Sequence, residues 1–163
     1  MIALAQGEWG TALVAAVCAV VVAAAGAVAT KTDAWYRRLR VPAWKPPDWA
    51  FGPIWAGIFA MTASSGVLAW TADGAPRLLL GLAFGVNGAL NIAWSVLFFR
   101  LRRPDWALAE VAALWLSVAV LVLVTGQASL SAALLNVPYL AWVSVAACLN
   151  LRIVQLNPRG GLA

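Results

Sequence analysis

Five long apolar runs, separated by short polar segments, limit how this chain can fold. The runs cover about residues 9–30, 49–70, 77–99, 105–125 and 130–155. Each is as long as the ~20 residues that a helix needs to cross a membrane. Only 10% of the 163 residues are charged and 64% are hydrophobic, whereas soluble domains carry ~25% charged residues. We therefore predict an all-α integral membrane protein, a five-transmembrane-helix bundle that forms a single domain over residues 1–163.

The first apolar run also has some features of a signal peptide, because its stretch Ala23-Ala24-Ala25 resembles a cleavage site. No Lys or Arg precedes the run, and the run is longer than the 7–15 residues of a signal-peptide core. We expect it to be a retained membrane span.

Basic residues are distributed unevenly between the two ends of the predicted bundle. The loop after the first span carries five, the loop after the third span three and the C-terminal region two, whereas the opposite side has only Arg77. The positive-inside rule places the first loop, the third loop and the C-terminus in the cytoplasm if the chain is inserted in a bacterial inner membrane. The choice between inner and outer membrane stays open. Because topology accounts for the basic residues, we do not expect nucleic-acid binding.

The chain has no histidine and only two cysteines, Cys18 and Cys148, both inside apolar runs. Histidine is the commonest general base and the commonest metal ligand. We therefore expect no metal centre, no acid–base catalytic residue and no required cofactor. Glu110 is the only carboxylate set into a predicted span, and we expect it to be interfacial or hydrogen-bonded to a neighbouring helix.

The chain contains ten tryptophans, and eight of them fall into two groups. Aromatic belts at the membrane interfaces account for Trp9, Trp35, Trp70 and Trp106. The spans themselves contain Trp55, Trp94, Trp115 and Trp142. A buried indole N–H needs a partner that lipid does not provide. The second group is therefore expected to face the bundle interior or a ligand, and helix packing alone is the alternative.

The third span separates polar residues from glycines. At about 100° per residue, one face carries Asn87, Asn91, Trp94 and Phe98. Another face carries Gly81, Gly85 and Gly88, a pattern that lets membrane helices approach closely. We interpret the glycine face as a helix–helix contact and as the seam of a homodimer. The Asn/Trp face would then point inward.

A face of the fifth span resembles the Asn/Trp face of the third. It carries Tyr139, Trp142, Ala146 and Asn150, and Pro138 loosens the backbone beside them. Polar residues within a span are costly and tend to face the interior. The two faces together predict a pocket lined by aromatic rings and a few amides.

Three tryptophan-containing segments follow one another along the chain. They are Trp35-Tyr36 with Val41 to Trp55, Asn91-Ile92-Ala93-Trp94 running to Phe99, and Val137 to Trp142 running to Asn150. Their order and spacing resemble the TspO/MBR family, which comprises translocator proteins and tryptophan-rich sensory proteins. The resemblance covers nearly the whole chain.

The resemblance implies five helices, a homodimer and a cavity capped by the first loop. In the family, this cavity binds tetrapyrroles such as protoporphyrin IX and haem, sterols, and isoquinoline- or benzodiazepine-type drugs. Bacterial relatives are linked to the regulation of tetrapyrrole genes and to stress responses. Carried over by position, the ligand-binding residues would be Trp44, Phe51, Trp55, Asn91, Trp94, Trp142 and Ala146. From their positions in the spans, we add Tyr139 and Trp115.

The function predicted from these features is that of a membrane receptor or sensor for porphyrins. The flat macrocycle would stack on tryptophan rings, and its propionates would meet the basic residues of the first loop, Arg37, Arg38, Arg40 and Lys45. Topology alone explains these charges equally well. Light-dependent porphyrin degradation and transport of tetrapyrroles or sterols are the alternatives. No tyrosine precedes Arg152 at the spacing of the proposed sterol motif, which lowers the expectation of specific sterol recognition.

Overall fold

The computed structural model describes residues 2–158, with side chains from residue 9 onward. Its elements are α1 (Ile2–Ala29), α2 (Ala34–Arg38), α3 (Asp48–Thr71), α4 (Arg77–Ser95, continued by a π-helical turn over Val96–Arg100), α5 (Pro104–Ala128) and α6 (Leu130–Leu156). Within the described residues, five helices are long and apolar enough to cross a membrane, α1 over Trp9–Ala29 and α3 to α6 over their whole lengths. The predicted fold class of five transmembrane helices is confirmed.

The five spans form a closed ring. Helix α1 packs on α3, α3 on α6, α6 on α5, α5 on α4, and α4 back on α1. The layer at the middle of the bundle consists of buried side chains from three helices, Ile58, Val111, Leu114, Val118, Tyr139 and Val143. Large apolar side chains such as Leu78 and Leu123 point outward and are exposed, as expected where the solvent is lipid.

The connection between α5 and α6 is shorter than predicted. The sequence suggests a turn from Gly126 to Ser129, but α5 continues to Ala128 and α6 begins at Leu130. The backbone N–H of Ser129 donates to the carbonyl of Thr125 at 2.9 Å, and its hydroxyl accepts from the N–H of Ala132 at 3.4 Å. One residue thus ends one helix and caps the next. Pro138, expected to loosen the backbone of the last span, lies inside a continuous helix.

The first loop, residues 30–47, folds onto the end of the bundle through the short helix α2. Asp33 caps this helix by accepting from the backbone N–H groups of Trp35 and Tyr36, and it also bonds Arg102 at 2.9 Å. Trp35 is buried and meets the ring of Phe98 edge-on at 6.2 Å. The prediction that Trp35 belongs to an interfacial belt is therefore wrong, because its side chain packs into the end of the bundle with Phe98 and Ala107.

Asn157 fastens the same loop to the end of α6. The backbone N–H of Arg40 donates to Asn157 Oδ1 at 3.0 Å, and Asn157 Nδ2 donates to the carbonyl of Arg40 at 2.8 Å. Asn157 Nδ2 also donates to the carbonyl of Ile153 at 2.8 Å. A single amide side chain therefore holds both backbone groups of Arg40.

Candidate functional site

Four aromatic side chains from α3 and α6 meet in pairs, and we call them the aromatic site. Phe51 lies edge-on to Trp142, with ring centroids 5.6 Å apart. Trp55 lies edge-on to Tyr139 at 5.9 Å and stacks on Phe59 at 5.4 Å. The spacing along α3 explains the arrangement, since residues four apart share a helix face. The structure thus brings together Phe51, Trp55, Tyr139 and Trp142, all predicted as ligand-binding residues.

Asn91 supports the aromatic site from α4. Its Nδ2 donates to the hydroxyl of Tyr139 at 3.0 Å, and both side chains are buried. Asn87, two helical turns along the chain from Trp94, donates from Nδ2 to the hydroxyl of Ser117 at 2.9 Å. These two amides turn the polar face of α4 inward, as the sequence predicts, and Asn91 fixes the position of Tyr139.

Trp94 lies on the same face of α4 but has its own partners. Its indole N–H donates to Asn150 Oδ1 at 3.2 Å, and its ring stacks on Phe98 at 5.3 Å. Asn150 Nδ2 donates in turn to the carbonyl of Pro104 at 2.8 Å. The indole of Trp94 is therefore satisfied within the chain, and Asn150 links three helices.

Trp142 differs from the other tryptophans of the spans because its indole nitrogen is buried yet has no hydrogen-bond partner among the described residues. Leaving a buried donor unpaired costs about 1–3 kcal/mol. The ring of Trp142 touches Phe51, so the unpaired donor belongs to a side chain of the aromatic site. Such a donor can bind a ligand oxygen.

Three further predicted residues lie at the margin of the aromatic site or outside it. Ala146 is half-buried, one turn after Trp142 on α6. Trp44 lies in the first loop with 49% of its surface exposed. Trp115 faces outward, and its indole N–H donates to Ser144 at 2.9 Å.

Trp115 lines a surface groove of about 480 Å³ between α5 and α6. The groove is apolar, and its other lining residues include Leu108, Ala112, Cys148 and Leu151. The structure therefore separates Trp115 from the aromatic site, because a neighbouring helix supplies the indole partner at the outer surface.

A cluster at the start of α3 borders the aromatic site, although its members were not singled out together from the sequence. The hydroxyl of Tyr36 donates to Asp48 Oδ1 at 2.8 Å, and Lys45 Nζ bonds the same oxygen. Asp48 is the first residue of α3, directly after Pro47 at the N-cap position. Lys45 Nζ lies 5.5 Å from the centroid of the Tyr36 ring and 5.8 Å from that of Phe51.

The charges of this cluster reinforce one another. Burial disfavours the charged form of Lys45, but the bonds to Asp48 and Tyr36 outweigh it and raise the pKa of Lys45 above its usual value. Burial, together with the carboxylate of Asp48, raises the pKa of Tyr36. At neutral pH the cluster therefore consists of an ammonium, a neutral phenol and a carboxylate.

The glycines predicted as a dimer seam have different surroundings. A Cβ at Gly88 would lie 3.1 Å from Val22 Cγ2, so Gly88 serves the contact of α4 with α1 inside one chain. Gly81 and Gly85 are exposed, and a Cβ at Gly85 would meet nothing within 4 Å. These two glycines leave a flat outer surface on α4.

Glu110 is half-buried in α5. Both carboxyl oxygens are buried, and neither has a hydrogen-bond partner among the residues that the structure describes. The expected hydrogen bond to a neighbouring helix is therefore not found in this part of the chain, and the interfacial position stays a prediction.

Comparison with known proteins agrees with this architecture. The model of the TspO/MBR family matches residues 13–156. The Tryptophan-rich protein TspO of Chlorobaculum tepidum is 38% identical over 90% of this chain and 95% of its own length. Protein CrtK of Rhodobacter capsulatus is 35% identical over 77% of this chain and 79% of its own, and the Translocator protein of Homo sapiens is 35% identical over 78% of each. This chain, an integral multi-pass membrane protein, therefore belongs to the TspO/MBR family.

Proposed function

We propose that this protein is a membrane receptor that binds porphyrins, such as protoporphyrin IX or haem, at the aromatic site. The observation that carries the proposal is the buried indole N–H of Trp142, which lies beside the ring of Phe51 and has no hydrogen-bond partner in the described part of the chain. A flat macrocycle offers a large apolar face to aromatic rings, and its oxygen-bearing substituents offer acceptors to the indole donor. Two relatives carry the names Tryptophan-rich sensory protein and Translocator protein, and these names agree with a ligand-binding role for this chain.

Two neighbouring features support this assignment. Tyr139 is held in place by Asn91, so the ring that faces Trp55 is positioned before any ligand arrives. The first loop is fastened through Asn157 and Arg102 to the end of the bundle where α3 begins and where Phe51 lies. Preorganised rings and a fixed cover both reduce the entropy that a ligand loses on binding.

We further propose that the loop end of the bundle faces the cytoplasm. Arg100 and Arg102 of the third loop bond Val28 and Asp33 at the same end, so the basic residues of two loops lie together there. This clustering is the arrangement that the positive-inside rule favours.

Quenching of tryptophan fluorescence by protoporphyrin IX tests the proposed function. We expect saturable quenching in the wild-type protein. Trp142→Phe keeps an aromatic ring but removes the N–H, and the loss of about 0.5–1.5 kcal/mol per hydrogen bond corresponds to a roughly threefold to tenfold weaker affinity. Trp55→Phe should also weaken binding, because it shrinks the surface for stacking.

Trp9→Phe is the matched control, since Trp9 lies outside the aromatic site and is 75% exposed. Absence of saturable quenching, or equal affinities in all three variants, would contradict the proposal.

Illumination of the complex separates binding from degradation. An unchanged porphyrin spectrum is expected for a receptor, and conversion to a bilin-like product would favour photo-oxidation at the tryptophans.

The proposed receptor is a homodimer that pairs through the exposed surface around Gly81 and Gly85. Small residues let two membrane helices approach closely, and nothing in the described chain covers Gly85. Cysteine cross-linking between copies at neighbouring positions of α4 tests this pairing.

A further inference from the structure

One cation of the first loop differs from the rest in where its charge lies. Lys45 has only 13% of its side chain exposed, and its ammonium lies over the rings of Tyr36 and Phe51. Phe51 in turn touches Trp142. A continuous series of contacts therefore leads from the ammonium of Lys45 to the unpaired indole of Trp142.

The other basic side chains of the loop are directed elsewhere. Arg37 Nη1 donates to the carbonyl of Thr32 at 2.9 Å, and Arg38 Nε donates to the carbonyl of Ala34 at 3.1 Å. Both side chains are exposed, as is Arg40, whose backbone is held by Asn157. These three arginines can serve topology, but they do not border the aromatic site.

Lys45 and Tyr36 already hold a carboxylate between them. Asp48 Oδ1 accepts from the hydroxyl of Tyr36 and from the ammonium of Lys45. Both donors converge on the same oxygen, so the two side chains together form a binding site for one carboxylate oxygen. The side chain of Asp48 is 59% exposed. When its carboxylate rotates away, water can therefore replace the bonds that it makes with Lys45 and Tyr36.

We propose that Lys45, together with Tyr36, binds a carboxylate of the ligand, and that this carboxylate takes the place of Asp48. The inference rests on the proposed function, because it assigns one part of the same site to one part of the ligand. For a porphyrin, the carboxylate is a propionate, and its macrocycle would lie towards Phe51. Charge is conserved in the exchange, since one carboxylate leaves the pair as another arrives.

The exchange explains how a lysine with most of its side chain covered is paired with a solvent-exposed carboxylate. A buried cation needs a counterion at all times, and Asp48 supplies one while the site is empty. Because Asp48 is the first residue of α3, its carboxylate also remains favourable near the helix N-terminus after it has rotated into solvent. The loop thereby keeps Lys45 charged and in place for an incoming acid.

Comparison of protoporphyrin IX with its dimethyl ester tests this assignment, because the ester keeps the macrocycle and loses both carboxylates. In the wild-type protein, we expect the acid to bind more tightly than the ester. Lys45→Met should weaken binding of the acid by about 10- to 150-fold, the effect of one hydrogen bond to a charged group, and leave the affinity for the ester unchanged. Lys45→Arg should retain most of the preference for the acid.

Two further variants make the test specific. Asp48→Asn removes the competing carboxylate, so the acid should bind more tightly and the ester should be unaffected. Arg38→Met removes the same charge from the exposed part of the loop, and the ratio of acid to ester affinity should stay at the wild-type value.

The outcomes separate the two proposals. If neither compound quenches the wild-type protein, the proposed function fails. If both bind but Lys45→Met lowers their affinities equally, Lys45 only supports the fold and the assignment is overturned. Weaker binding of the acid by Asp48→Asn would also overturn it.

Discussion

Replacing Asn157 by alanine is expected to release the first loop from the end of α6 without unfolding the bundle. The substitution removes the acceptor for the backbone N–H of Arg40 and the donor to its carbonyl, bonds of 3.0 and 2.8 Å. It also removes the bond to the carbonyl of Ile153. The packing of Trp35 on Phe98 is untouched, so the remaining attachment of the loop persists.

The size of the effect follows from the two bonds to Arg40. A hydrogen bond within a protein contributes about 0.5–1.5 kcal/mol net, so the closed position of the loop should lose about 1–3 kcal/mol. That change raises the fraction of molecules with an open loop by about 5- to 150-fold. The free energy of unfolding of the helices should change by much less, since Asn157 follows the last residue of α6.

Hydrogen exchange of the Arg40 amide in detergent micelles measures the open fraction directly, because this amide donates to Asn157. Cleavage of the loop by trypsin after Arg37 and Arg38, both exposed, gives a second measure. Gln155→Ala is the matched control at the same end of α6. Gln155 is exposed, and its amide oxygen accepts a hydrogen bond of 2.8 Å from Arg152 on the same helix.

The result that would refute this reasoning is an Arg40 amide that exchanges equally fast in Asn157→Ala and Gln155→Ala. Faster exchange throughout α6 would contradict it in another way, because it would show that Asn157 stabilises the helix rather than the loop.

Three further predictions concern stability. Glu110→Leu should raise the midpoint of thermal unfolding, because both carboxyl oxygens are buried without a partner among the described residues and such a group costs about 1–3 kcal/mol; a lower midpoint would reveal a stabilising partner. Gly88→Leu should lower the midpoint of thermal unfolding, since an added Cβ lies 3.1 Å from a side chain of α1. Gly85→Leu should leave this midpoint unchanged and reduce cross-linking between copies. Equal midpoints for the two variants would contradict this. The backbone N–H of Tyr36 holds the pKa of Asp33 below its ordinary value of 3.8, so the stabilisation from Asp33 is present above pH 3.8 and is lost as the pH falls through the lower folded-state pKa. Asp33→Asn should therefore lower the midpoint at neutral pH and have no effect in strong acid, and a difference that persists in acid would refute the assignment.

The helices and their inward faces were predictable from the sequence. Long apolar runs leave a membrane helix as the only structure that satisfies its backbone, and the period of about 100° per residue identified Asn91 and Tyr139 as neighbours of an interior site. Their hydrogen bond of 3.0 Å confirms that the two faces meet.

Contacts that join distant parts of the chain were not predictable in the same way. Trp115 and Trp142 both lie within spans and both need a partner for the indole N–H. Which helix supplies that partner depends on the arrangement of the ring, and Ser144 supplies it to Trp115 at the outer surface. Likewise, the sequence offers no local signal that Asn157 bonds a backbone 117 residues away.

The junction at Ser129 determines how the aromatic site can change shape. Because one residue both ends α5 and caps α6, these two helices have no free residue between them where they join, and α6 carries Tyr139 and Trp142. The opposite wall, with Phe51 and Trp55, belongs to α3, where Pro53 removes one backbone donor near the start of the helix. Widening of the site is therefore expected to come from bending at the two prolines, of α3 near Pro53 or of α6 near Pro138, and not from movement at the Ser129 junction.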